Sequence, residues 1–110
     1  GQINAEEVAG RYVGAVGGAA DFLRGAHLAT RGRPIVALPS TAKGPTGPVS
    51  RIVAKLGGPV STARSDAGII VTEHGSADLR GLSLPERRAR MIAIAAPEFR
   101  EALERASHPA

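Results

Sequence analysis

The sequence predicts one layered α/β domain, and three observations carry that reading. Two short apolar runs, Ile35–Leu38 and Ile69–Val71, read as buried strands. Helix-forming stretches with apolar residues three and four apart stand at residues 19–29 and again after residue 83. The 14 glycines and 8 prolines show no period of three, which excludes collagen and calls for many turns. Strands and helices that alternate in this way pack as layers.

The elements are justified in chain order. Val8, Tyr12 and Val13, interrupted by Gly10 and Gly14, suggest strand-like pieces around residues 7–15. Asn4 with Glu7 three residues on is also a possible helix start. Gly17-Gly18 breaks the chain, and a helix is expected over Ala19–Ala29, with Phe22, Leu23, Ala26 and Ala29 at helical spacing and Asp21 in the first turn. Thr30–Pro34 is a basic turn before the first strand. Pro39–Pro48 reads as a loop of glycine, proline and hydroxyl residues. Val49–Val53 suits a strand because β-branched residues dominate. Gly57-Gly58-Pro59 turns the chain, and the second strand ends at Thr72-Glu73-His74-Gly75. Ser83 and Glu86 form a capping box with Pro85 in the first turn, opening a helix to about Ala96. Pro97 opens another, with Phe99, Ala102, Leu103 and Ala106 on one face. No internal repeat or heptad seam occurs.

Composition narrows the chemistry. The chain has 110 residues, enough for one small domain with a thin core. Aromatics are Tyr12, Phe22 and Phe99 alone, so core contacts must come from aliphatic residues. Cysteine is absent, which excludes disulfides, iron–sulfur ligation and thiolate zinc sites and is compatible with a cytoplasmic location. No run approaches the ~18 apolar residues of a membrane span. The first residues have neither a basic nor an apolar leader region. A net charge of +4 favours an anionic partner.

Four places carry candidate chemistry. Glycines running into a helix, Gly14-Ala15-Val16-Gly17-Gly18, can turn backbone N–H groups toward an anion, or can simply form a tight turn that needs positive φ. The dinucleotide pattern G-x-G-x-x-G is not met. In the 39–51 loop, Ser40, Thr41, Lys43, Thr46, Ser50 and Arg51 can grip phosphates, although no Walker A motif occurs; a plain surface loop is the alternative. Glu73 and His74 at a strand end can do acid–base work or hydrogen-bond the corner. His27 and His108 stand at no metal-ligand spacing from His74, so no metal is expected. Arg31, Arg33, Arg87, Arg88 and Arg90 are basic but lack interleaved aromatics, so nucleic acid is not the expected partner and a solvated face is the simpler reading.

Taken together, these segments resemble the acetyl-CoA hydrolase/transferase family. The resemblance rests on Gly1–Glu6, Val16–Ala26 (with Gly17-Gly18-Ala19-Ala20-Asp21-Phe22), Ala37–Gly44, Val49–Val53 and Val71–Ser83, in order and nearly end to end. Its members are CoA-transferases and acyl-CoA hydrolases of short acids. The resemblance implies a CoA-transferase-like layered domain with short buried strands and C-terminal helices. It also implies that residues 1–110 form a single partial domain, the C-terminal part of a longer enzyme. The substrates it implies are coenzyme A, as acyl-CoA, and a short carboxylate.

The family's nucleophile is a glutamate in a G-x-H-x-E segment, which this chain does not contain. The resemblance implies that it lies upstream, where it attacks the thioester to give an acyl anhydride and then a glutamyl-CoA thioester. Gly17 and Gly18 match the glycines whose N–H groups hold the oxyanion, a place where only glycine leaves the path open. Ala15 and Ala19 depart from the family's frequent Gly and Gln or Ser, and each departure bears on acyl or acceptor contacts. Ser40, Thr41, Lys43, Gly44, Ser50 and Arg51 are the expected CoA-binding residues, with Glu73 and His74 behind them.

The chain alone is therefore expected to be inactive. A cut within a longer sheet is expected to expose a strand edge and apolar surface, which pairs with the upstream part or with further copies in a homo-oligomer. A non-catalytic CoA- or nucleotide-binding module, an assembly piece and a basic RNA-associated protein are the rival readings. They differ by turnover, by ligand affinity and by salt dependence.

Overall fold

The computed structural model describes residues 1–107, so His108 lies outside the described residues. In chain order the elements are β1 (Glu7–Val8), β2 (Arg11–Tyr12), α1 (Ala19–Leu28), β3 (Ile35–Ala37), β4 (Thr41–Gly44), β5 (Gly47–Ser50), β6 (Ile69–Thr72), β7 (Gly75–Asp78), α2 (Leu84–Ala93) and α3 (Pro97–Ser107). The central sheet has the order β3-β6-β7. Its β3 and β6 are parallel, with Val36 opposite Ile70, and β6 and β7 are antiparallel, with Ile70 opposite Ala77. β1–β2 and β4–β5 are separate antiparallel hairpins.

Asn4 starts a turn rather than a helix. Its Oδ1 accepts the N–H groups of Glu6 and Glu7, and its Nδ2 donates to the Glu7 carbonyl at 2.7 Å. This is the local side-chain alternative to helix that asparagine offers. The strand-like pieces expected around 7–15 are the β1–β2 hairpin. The capping box of α2 forms, with the Ser83 N–H donating to Glu86 Oε2 at 2.7 Å and the Glu86 N–H donating to Ser83 Oγ at 3.4 Å.

The loop expected over residues 39–48 is a hairpin from Thr41 onward. Thr41–Gly44 and Gly47–Ser50 pair as a hairpin around Pro45-Thr46. The next hairpin, β6–β7, is built in the same way around Glu73-His74. Each two-residue turn is followed by a glycine at positive φ, Gly47 at 124° and Gly75 at 137°. Proline at the second and glycine at the fourth turn position is the signature of a type I turn. The strand expected over Val49–Val53 ends at Ser50. There Ser50 Oγ donates to the Ile52 carbonyl at 2.6 Å, and the Arg51 N–H turns to the Ser40 carbonyl at 2.8 Å.

The core is aliphatic. Ile52, Ala67, Ile70, Ala77, Leu79, Ile94, Ala95 and Leu103 are buried together, with Val36, Leu38, Met91 and Phe99 packed on them. β3 is the exception to its apolar pattern. A run buried on both faces is the mark of an interior parallel strand, yet β3 lies at the sheet edge and Ile35 stays 50 % exposed. Helix α1 buries only Leu23, leaving Phe22 and Leu28 more than 80 % exposed. On α3, Leu103 is buried and Phe99 half-buried, while Ala102 and Ala106 face solvent, so the expected four-residue face is narrower. Within residues 1–107 no helix is long and apolar enough to cross a membrane.

Candidate functional site

Parallel pairing brings the C-terminal ends of β3 and β6 to one edge of the sheet. Ser40 follows β3 and Glu73 follows β6, so two residues 33 positions apart meet there. The Ser40 N–H donates to Glu73 Oε1 at 2.7 Å. The Ser40 carbonyl accepts from the Arg51 N–H at 2.8 Å. Ser40 is thus tied to the β6–β7 turn and to the segment after β5, and it is only 1 % exposed.

The Ser40 hydroxyl is buried and has no hydrogen-bond partner among the described residues. A buried hydroxyl without a partner is costly and calls for a reason. It stands beside the Glu73 carboxylate without reaching hydrogen-bond geometry. Its presence there, and then the Ser40 N–H, hold the Glu73 carboxyl below the ordinary range against the opposing effect of desolvation. Glu73 is therefore an anion at neutral pH, an acceptor rather than an acid.

His74 is exposed, and its backbone N–H donates to Thr72 Oγ1 at 3.1 Å. That hydroxyl donates in turn to the Ile94 carbonyl at 2.6 Å. The Glu73-His74 turn is thereby fixed by hydrogen bonds at both of its residues, which is the corner role open to it from the sequence.

Thr41 lies opposite Ser50, and Lys43 opposite Pro48. Strand alternation puts Thr41, Lys43 and Ser50 on one face of the hairpin, with Ala42, Gly44 and Val49 on the other. Lys43 is exposed and forms no ion pair among the described residues. The Ser50 proton is already committed to the Ile52 carbonyl, so that hydroxyl has no donor to offer an anion.

Gly17 and Gly18 are not joined to this edge by any hydrogen bond among the described residues. Neither has positive φ, so the tight-turn requirement considered from the sequence does not hold. A Cβ at Gly17 would meet nothing within 4 Å, and one at Gly18 only the Phe22 ring at 3.9 Å. The backbone there is open to an approaching group, with the unpaired first N–H groups of α1 beside it. The other end of α1 is anchored: Arg24 grips Asp66 through two bonds at 3.1 and 3.0 Å, and His27 Nε2 donates to the Asp66 carbonyl at 3.0 Å.

One feature was missed from the sequence. A cavity of about 200 Å³ between residues 51–56 and α2 is lined by Arg51, Lys55, Arg64, Arg87 and Arg88. Its charges come from three separate segments, so no local motif announces it. Arg87 and Arg88, expected on a solvated face, line it together, and Arg87 is half-buried. Among the described residues no three His, Asp or Glu side chains converge as a metal site.

The family model described as the acetyl-CoA hydrolase/transferase C-terminal domain matches residues 1–107. The chain is 44 % identical over 105 residues to the 4-hydroxybutyrate coenzyme A transferase of Clostridium kluyveri, covering 94 % of this chain and 24 % of that protein. It is 43 % identical over 90 residues to the acetyl-CoA hydrolase of Kluyveromyces lactis, covering 81 % of this chain and 16 % of that one. The crystal structure of RipA from Yersinia pestis superposes with a TM-score of 0.87 at 47 % identity, over 97 % of this chain and 24 % of that chain. The chain therefore spans about a quarter of the length of the first relatives it matches.

Proposed function

The chain belongs to the acetyl-CoA hydrolase/transferase family as its C-terminal domain, and from that premise we propose that it completes the CoA site of an enzyme that moves CoA between short carboxylic acids or hydrolyses acetyl-CoA. The observation that carries the reading is the exposed Lys43, in no ion pair among the described residues and on one hairpin face with Thr41, inside a family-matching segment.

In this reading a glutamate from the upstream part attacks the acyl-CoA carbonyl and expels CoA thiolate, leaving an acyl–glutamyl anhydride. The thiolate then attacks the glutamyl carbonyl and releases the free acid, which gives the glutamyl-CoA thioester. An acceptor carboxylate, or water, reverses or ends the sequence. The backbone at Gly17 and Gly18 donates to the oxyanion, since its open surroundings allow close approach. Thr41, Lys43 and Gly44 meet the CoA chain and its phosphates, with Arg51 beside them, while Ser40, whose Oγ is buried, anchors the start of that hairpin rather than touching CoA. Ser50 holds the corner that presents Arg51, and Glu73 with His74 fixes Ser40. The upstream part, or a further copy of the chain, covers Phe22, Leu28 and Ile35.

The test is a thermal-shift titration of the 110-residue chain with CoA, acetyl-CoA and ATP, alongside a thioester-exchange assay. A bound ligand raises stability by RT ln(1 + [L]/Kd). The expected result is a larger shift with CoA than with ATP and no exchange until the upstream part is added. No shift with any of the three overturns the assignment of CoA contacts to this chain. Exchange by the chain alone overturns the assignment of the nucleophile to the upstream part.

A further inference from the structure

The cations of the 200 Å³ cavity have no carboxylate partner among the described residues. Arg24, Arg80 and Arg105 each pair with a carboxylate elsewhere on the molecule. Among the described residues no Asp or Glu lines the cavity, and Arg51, Lys55, Arg64 and Arg88 form no ion pair. Arg87 is held in place by donating to the carbonyls of Leu82 and Arg64, both at 3.1 Å, so its charge is fixed but not neutralised. A cleft lined by one sign of charge concentrates the opposite ion.

The walls say what kind of anion. The lining also includes Ile52 and Leu103, which are buried, and Met91 and Ile92, which are half-buried. At ~30 Å³ per water the volume equals about seven waters, more than a lone small ion fills. Arginine's planar fork and lysine's point charge both suit phosphate oxygens.

We propose that the cavity between residues 51–56 and α2 is a binding site for a phosphorylated organic anion, with the phosphates on Arg51, Lys55, Arg64 and Arg88 and the organic part on Ile52 and Leu103. The phosphates of CoA itself and those of a separate effector share this chemistry. Only the CoA source rests on the function proposed above.

The test is calorimetric titration of the 110-residue chain with inorganic pyrophosphate at low ionic strength, repeated with Lys55→Gln/Arg88→Gln. Both side chains are exposed, so the fold is not at stake. Arg31→Gln/Arg33→Gln removes the same charge from a turn outside the cavity. The expected result is saturable binding, weakened about tenfold or more (~1.4 kcal/mol) in the cavity variant and within about twofold in the control. CoA is then added to the pyrophosphate complex. Displacement of pyrophosphate assigns the site to CoA, and simultaneous binding assigns it to a separate effector; either outcome supports the site. Absence of saturable binding, or equal weakening by both variants, overturns it, and a failure of CoA to bind anywhere leaves the pyrophosphate result standing on its own.

Discussion

Replacing Ser40 with alanine tests what a buried hydroxyl without a partner does to stability. The Ser40 residue is 1 % exposed, and its Oγ has no hydrogen-bond partner among the described residues. Removing one member of a formed hydrogen bond leaves its mate stranded and costs stability. Removing a hydroxyl that is itself stranded takes away a desolvation penalty of about 1–3 kcal/mol. Against this stand a cavity of one oxygen atom and the loss of the hydroxyl dipole beside Glu73. The net expectation for Ser40→Ala is a stability between unchanged and about 1 kcal/mol higher, a rise of up to roughly 4–8 °C in Tm for a domain of this size. The backbone bond to Glu73 Oε1 survives because alanine keeps its N–H. The hydroxyl is too deeply buried to touch CoA, so the CoA-induced shift should be unchanged. Thermal unfolding by circular dichroism, with and without CoA, reads both quantities. A loss of more than about 1 kcal/mol without ligand would mean that the hydroxyl has a native partner, and the reasoning would fail.

Two further outcomes test the scaffold. A Cβ at Gly68 would lie 2.9 Å from the carbonyl oxygen of buried Pro34 and closer still to its ring. That carbonyl accepts the Ile69 N–H at 2.8 Å where β3 joins β6, so Gly68→Ala should cost about 1–3 kcal/mol by overpacking and should disturb the Ser40–Glu73 contact at the far end of the same strands; an unchanged urea midpoint would refute this. Asp78 has its pKa pulled down to about 2, first by the Arg80 guanidinium and further by the Arg80 N–H. A carboxyl depressed from 3.8 stabilises the fold above its unfolded pKa and loses that contribution as pH falls through the folded value. The urea midpoint should therefore fall between about pH 4 and 2, and Asp78→Asn should flatten part of that slope; an identical slope in the variant would show that the pair contributes nothing.

Some of this molecule is legible residue by residue. Helix α2 begins at Ser83 because Ser83, Pro85 and Glu86 carry their own stop-and-start chemistry within four positions. The strands at Ile35 and Ile69 follow from short β-branched runs, and family membership follows from five blocks in order. The β4–β5 hairpin is also written locally, in Gly44-Pro45-Thr46-Gly47, but proline and glycine suit a loop as well as a hairpin turn, and the pairing of Thr41 and Ala42 with Ser50 and Val49 decides between them.

Packing and the candidate sites were decided elsewhere. Phe22 and Ile35 look like core and are exposed, while Ala77 and Ala95 look unremarkable and are fully buried. Periodicity reports that a residue can be buried; only the arrangement of the neighbouring elements supplies something to bury it against. Ser40 meets Glu73 because parallel pairing brings two strand ends together across 33 residues. Arg51, Arg64 and Arg88 share one cavity because three segments converge on it. The sequence by itself determined the local elements and the family, since capping, turn geometry and propensity act over a few residues. Tertiary structure alone decided the Ser40–Glu73 edge and the cationic cavity, since both join groups that have no contact along the chain.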